Sequence, residues 1–349
     1  MKNVLLALCS MLWVASSYGQ SSVTLYGLMD AGITYTNNVE SGKTHGADLQ
    51  FTSGSAQGDR WGLRGAEDLG DQEKIIFVLE NGFQLSNGAL GQGGLEFGRQ
   101  AYVGGAGPWG TLTLGRQFDF IGDQMFAYAI GANTPAGLLA WSLPAYAAGG
   151  YSLDNRVWGD QVNNAVKYMS PVVAGFSAGA MFGFGNTPGS IAASSSQAYI
   201  VNYRQGSFSA SLAYFGQHDV KTGGNSREFA GGASYEIGAA KMFAMLTDVR
   251  LTGGDQARAT TAEAGMTYRL TPALMLGGGA QFQKRNNGLG SANQLTLVSD
   301  YSLSKSTDVY VIAALAHDHA FGAQVQAALG SPSGSDVQTG ARIGIRHRF

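Results

Sequence analysis

A period of two runs through this sequence almost from end to end. In FSASLAY (208–214), Phe208, Ala210, Leu212 and Tyr214 share one face, with Ser209 and Ser211 on the other. In FAMLTDVR (243–250), Phe243, Met245 and Val249 oppose Asp248 and Arg250. In MTYRL (266–270), Met266, Tyr268 and Leu270 oppose Thr267 and Arg269, and in LTLVSDYSL (295–303) Leu295, Leu297, Tyr301 and Leu303 oppose Thr296, Asp300 and Ser302. Successive side chains of an extended chain point to opposite faces, so these runs read as strands with one apolar face. Nothing in the sequence sustains a helical period.

The punctuation narrows the choice of architecture. Short turn signals at 68–71, 105–110, 204–207, 237–239, 270–272 and 304–306 mostly alternate with longer polar segments at 37–55, 217–227, 252–258, 286–292 and 319–336. Short turns at one end of the strands and long loops at the other are the rhythm of a transmembrane β-barrel. Charged residues make up 13% of the chain, roughly half the usual share, and there are 52 glycines. Beyond the N-terminal region no run of about 20 apolar residues could form a membrane helix. A formal net charge of −2 argues against a nucleic-acid surface. A soluble β-sandwich would alternate as well. Aromatic residues decide for the barrel: Trp61, Phe83, Tyr102, Trp109, Tyr168, Tyr203, Tyr214, Phe282 and Tyr310 fall near expected strand ends, where interfacial girdles sit.

Residues 1–19 read as a secretory signal peptide, with Lys2, the apolar run VLLALCSMLWVA and small residues before a cut at Gln20. Its removal takes away Cys9, the one cysteine, so no disulfide, thiol chemistry or cysteine metal site is expected. It also takes Lys2, leaving 21 basic and 24 acidic residues, a net charge of −3. The remaining 20–349 reads as one domain, and at about twenty residues per strand and connection it supplies about 16 strands.

The segments SSVTLYGLMDAGI (21–33), DRWGLRGAEDLG (59–70), GPWGTLTLGRQFD (107–119), NNAVKYMSPVVAGF (163–176), YSLSKSTDVY (301–310) and the closing IRHRF resemble the general porins of Gram-negative, especially β-proteobacterial, outer membranes. The resemblance runs in order from Ser21 to Phe349. It implies an all-β, 16-stranded antiparallel transmembrane β-barrel with an inward-folded third external loop. It further implies a homotrimer among outer-membrane lipids, passing small hydrophilic solutes and ions without a cofactor. In that family a C-terminal phenylalanine is read by the barrel-assembly machinery, which makes Phe349 the assembly signal. The alternation agrees, with Ile343 and Ile345 toward lipid and Arg346 and Arg348 toward water.

Residues 124–153 contain no charged side chain, and Pro135, Pro144 and repeated glycines break the segment as a helix. Irregular backbone at membrane depth survives only where protein or a wet lumen covers it. The resemblance makes this the inward-folded loop, flanked by Asp119, Asp123, Asp154 and Asp160. The Pro-Glu motif that often marks the loop tip in the family is absent. Arginines are expected on the opposite wall. Alternation puts Arg60 and Arg64 on one face, away from Trp61 and Leu63, and Arg99 alternates against Tyr102. Arg116 falls on the face of Leu112 and Leu114 unless Gly115 opens a bulge, and the resemblance implies an inward position. The expected constriction is therefore Arg60, Arg64, Arg99 and Arg116 against Asp119, Asp123, Asp154 and Asp160.

Other motifs have bland readings. His317-Asp318-His319 has no third ligand nearby in sequence and reads as surface. Ser302-Leu303-Ser304-Lys305 matches S-x-x-K by chance on a turn, and the Gly-rich 91–94 lacks a strand-to-helix context. No Ser, His and acid constellation is apparent. The expected function is thus passive diffusion through an aqueous pore and not catalysis. A substrate-selective channel is the nearest alternative, and a hydrolase or adhesin barrel a more distant one.

Overall fold

The computed structural model describes residues 21–137, 147–148, 151–154, 159, 161–220, 224–252, 256–326 and 332–349. The expected signal peptide and Asp160 lie outside the described residues. No helix among the described residues is long and apolar enough to cross a membrane. The chain is instead a closed antiparallel β-barrel. Its strands are β1 Ser22–Ser41, β2 in two pieces (Thr44–Ser53 and Arg60–Gly70), β3 Glu73–Gly82, β4 Gln100–Gly107, β5 Gly110–Phe118, β6 Gln161–Met169, β7 Phe176–Gly183 and β8 Ser196–Gln205. They continue as β9 Phe208–Val220, β10 Gly224–Ile237, β11 Ala240–Leu251, β12 Arg258–Arg269, β13 Leu274–Arg285, β14 Ser291–Ser302, β15 Thr307–Asp318 and β16 Val337–Arg348.

The sheet contains 17 ladder segments, but the two pieces of β2 pair successively with one long β1. Thr44–Ser53 runs beside the far half of β1, residues 54–59 step out of the ladder, and Arg60 resumes it opposite Leu28. Counting these pieces as one strand leaves sixteen. Closure comes from β16 pairing with β1, from Leu28↔Arg348 to Thr36↔Gly340. The main-chain bonds continue one residue further: Phe349 and Gly27 exchange N–H···O bonds of 2.9 and 3.1 Å. The terminal phenylalanine therefore completes the seam. Closure leaves no sheet edge unpaired in the bilayer, which is what allows a β structure to span it.

The two rows of each strand separate as the alternation requires. Leu212, Met266, Leu295, Leu297, Ile343 and Ile345 are exposed on the outer row, and Ser211, Thr267, Thr296, Arg342 and Arg346 are buried on the inner row. Three expectations reverse, one of them at Tyr102, which stands on the inner row opposite Val78, the partner of Arg64, and not in a girdle. Phe243, Met245 and Val249 of β11 are buried inner-row residues, while Asp248 and Arg250 stand on the outer row with exposed Leu246. Tyr310 is not in a girdle; it is buried on the inner row, where its hydroxyl meets Asp30 and Arg342.

Residues 119–137 explain the reversal at Phe243 and Met245, and Leu153 that at Val249. They form α1 Phe120–Asp123, a 3₁₀ turn Met125–Tyr128 and α2 Ile130–Asn133, and pack against β8 to β12. Phe120, Ile121, Met125, Tyr128 and Ile130 share one apolar cluster with Phe243 and Met245. Because that segment covers the inner row of β11, an apolar residue there is buried in protein. Tyr128 hydrogen-bonds the Ser211 hydroxyl at 2.9 Å, and the Ile130 amide donates to Glu263 at 2.7 Å. At its end, Gly137 meets the carbonyls of Ser55 and Ala56 in the step of β2.

Candidate functional site

Three arginines on the β2–β4 wall gather round one acid. The β2–β3 hairpin turns through Asp71 and Gln72, both at positive φ (52° and 67°), the geometry of a two-residue type I′ turn. That turn, with a one-residue bulge between Asp68 and Gly70, sets the register Arg60↔Gly82, Gly62↔Glu80 and Arg64↔Val78, so Glu80 stands between the partners of the two arginines. The Glu80 carboxylate accepts from Arg99 Nε at 2.8 Å and from the Tyr26 hydroxyl at 2.9 Å, with Arg60 Nε at 3.7 Å. The Arg64 guanidinium lies over the Tyr26 ring at 5.2 Å, and that of Arg99 over Phe118 at 5.4 Å. Three guanidinium groups against one carboxylate give this patch a charge of +2. Glu80 was not among the residues expected from the sequence.

Arg116 does not join them. It shares its row with exposed Leu112 and Leu114, and its hydrogen bonds go to Gly98 O (2.7 Å), Gln161 O (3.5 Å) and the Asn163 side chain. The bulge beside it is in β6, where Asn164 has a positive φ of 51°, so it leaves the direction of Arg116 unchanged.

The aspartates divide in the same way. Asp119 is fully buried and caps α1, accepting from the Gly122 amide at 2.8 Å. Asp123 pairs with Lys167 at 2.8 Å, and the same ammonium donates to Phe118 O at 2.9 Å. Asp154 follows Leu153, which is buried among Val249, Leu251, Ala257 and Ala259 on the β11–β12 side. Asp123 alone of these three is a half-exposed carboxylate beside the start of the segment, and its charge is matched by Lys167.

The seam carries a second buried network. Arg342 donates to Asp30 (3.2 Å), the Tyr310 hydroxyl (3.0 Å) and Thr34 (3.1 Å), and Asp30 also accepts the Ala56 amide at 2.7 Å. Asp59 in turn accepts the Asp30 amide at 2.6 Å. These bonds hold the 54–59 step in place, where a buried charge requires both an opposite charge and hydrogen bonds. Asp318 pairs with Arg285 at 2.7 Å, both fully buried, and so leaves the histidines beside it. His317 and His319 instead meet Asp336, with ligand atoms of all three within 4.8 Å of one another. The third donor that the local sequence lacked is supplied from the far end of the loop.

The Gram-negative porin family model matches residues 5–319. The chain belongs to the Gram-negative porin family. It is 31% identical to outer membrane porin protein 32 of Delftia acidovorans over 370 residues, covering 100% of both chains. Among solved structures it is similar to an anion-selective porin from Comamonas acidovorans, with a TM-score of 0.79 and 26% identity over 95% of this chain and 100% of that one. The trimer form of OmpT, an outer membrane protein of Vibrio cholerae, shares the fold at a TM-score of 0.66 and 15% identity, covering 94% of this chain and 99% of that one. This porin is an outer-membrane diffusion channel, and the closed barrel with a polar inner row is the structure such a channel needs.

Proposed function

We propose that this porin is an open, anion-preferring diffusion pore, narrowed by residues 119–137 acting as an inward-folded third external loop. The observation that carries the preference is the patch of Arg60, Arg64 and Arg99 around Glu80. Arginine keeps its charge at every working pH. The aspartates that could balance the patch are engaged elsewhere: Asp119 caps a helix and Asp123 pairs with Lys167. A small anion passing the wall meets net positive charge, and no bond is made or broken. Ordered water between the arginines and the opposite segment disfavours apolar solutes, which must disrupt it. The anion selectivity of the Comamonas acidovorans relative supports this reading.

The same reading takes the pore as a homotrimer, as in the Vibrio cholerae trimer form, and as a protein with no catalytic role. The deciving measurement for selectivity is the reversal potential of the wild-type channel in a planar bilayer under a KCl gradient. A potential of the sign set by chloride supports the assignment, and one of the sign set by potassium overturns it. Chemical cross-linking of the native protein to a three-chain species tests the trimer; a monomer alone would refute it.

A further inference from the structure

The outer row of the barrel carries a cationic patch that the pore does not use. Arg227, Arg250 and Arg258 lie on the adjacent strands β10, β11 and β12, and the ladder pairs Arg227↔Arg250 and Arg250↔Arg258 directly. All three are exposed, as is Lys284 on β13 opposite Thr260. They share the outer row with exposed Phe229, Leu246 and Phe282, not the lumen row. The one carboxylate in this row is Asp248, which accepts from Arg250, from Arg258 Nε at 2.7 Å and from Thr260 at 2.8 Å. Among the described residues neither Arg227 nor Lys284 has an ion-pair partner, so the patch holds four cations and one anion.

Like charges placed directly opposite in a ladder destabilise it. Two successive Arg–Arg pairs on a membrane-facing surface therefore call for an external anion. The position states which kind. Arg250 and Lys284 are each one residue from a strand end, Arg258 opens its strand, and all lie at the end away from the tight Gly238–Ala239 turn. That is the level of the headgroups in the leaflet on the long-loop side. Toward the bilayer centre, Arg258 and Lys284 line one hollow of about 450 Å³ with Leu246, Ala262 and Phe282. It continues into an apolar trough of about 790 Å³ floored by Ala244, Ala264 and Ala280. Cations above an apolar trough match a phosphate above acyl chains.

We propose that this face binds a phosphate-bearing lipid of the leaflet at the long-loop end. The headgroup phosphate is held by Arg227, Arg258 and Lys284, and a chain lies in the trough beside Leu246 and Phe282. Guanidinium groups suit phosphate because they offer paired donors in one plane. The proposal rests on the barrel spanning a membrane but not on its ion selectivity.

Native mass spectrometry of the purified, intact porin, titrated with dioleoyl phosphatidic acid or dioleoyl phosphatidylcholine, tests it. The expected result is preferential retention of phosphatidic acid, lost by about tenfold or more in R227Q/R258Q/K284Q, since basic residues at a membrane surface each add to anionic-lipid attraction. The R227K/R258K variant keeps the charge and should retain most of the preference. The triple variant should show unchanged conductance, because none of its sites faces the lumen, and this also reports that it has folded. Equal retention of the two lipids by the wild type, or an undiminished preference in the conducting triple variant, overturns the proposal. So does full competition by inorganic phosphate at equal concentration, which would indicate a free-anion site.

Discussion

Replacing Arg60 and Arg64 together by glutamine removes two of the three cations of the wall patch, and the structure allows the consequence to be sized. Arg99 stays on Glu80 at 2.8 Å, so the carboxylate keeps its closest partner and the patch falls from +2 to neutral. An ion passing about 8 Å from a unit charge in a water-like medium interacts by about 0.5 kcal/mol. Screening over a Debye length of about 8 Å at physiological ionic strength reduces this to about 0.2 kcal/mol. The effect has opposite signs for anion and cation, so each charge changes their permeability ratio about twofold, and the two charges about fourfold. At 0.01 M salt, where the Debye length is about 30 Å, the same arithmetic gives about 15-fold. Reversal potentials in planar bilayers under a KCl gradient, measured at both salts, read these ratios. Glu80→Gln is the opposite-sign control and should raise the anion ratio about twofold at physiological salt. An unchanged reversal potential in the double variant, or a shift indifferent to salt, would show that these arginines do not face the permeating ions.

Three further outcomes follow from the packing. A Cβ added to Gly232 would lie 2.4 Å from the Tyr128 ring, so Gly232→Val should displace the 3₁₀ turn and raise single-channel conductance; unchanged conductance would mean that residues 119–137 do not narrow the pore. Asp30→Asn leaves the fully buried Arg342 guanidinium without its carboxylate, and breaking such a pair costs about 3–5 kcal/mol, to be read as a lower temperature for loss of the heat-resistant barrel band on gels. Deleting Phe349 removes the last main-chain pairing with Gly27 and, like its replacement by aspartate, the expected assembly signal, and either change should leave unfolded precursor in the periplasm; normal yields of folded protein would refute that role.

The barrel was legible in the sequence because its two rows meet different solvents, and alternation records that directly. The apolar residues Phe208, Leu212, Leu295, Leu297 and Tyr301 fall on the outer row as it requires, with Val298 a buried exception on the inner row. It failed at Phe243 and Met245, where residues 119–137 turn part of the inner row into a protein interior, and at Val249, which is buried with Leu153. A period of two separates the faces of a strand but does not label them. Tyr310 misled for a related reason: an aromatic near a strand end can serve a buried network as well as a girdle. Of the candidate site, Arg60 and Arg64 were recoverable from strict alternation. Glu80 was not, because counting back from the Asp71–Gln72 turn sets it opposite Leu63, and only the bulge between Asp68 and Gly70 moves it opposite Gly62, onto the row of the arginines. The roles of Asp119 and Asp154 were not, since helix capping and loop packing leave no periodic trace.

Single-channel recording of the purified wild-type protein in planar bilayers tests the central claim most directly. A passive aqueous pore gives stepwise, ohmic currents whose conductance rises in proportion to the conductivity of the bathing salt. A protein that inserts but stays silent, or whose conductance saturates with one solute at low concentration, would contradict the account.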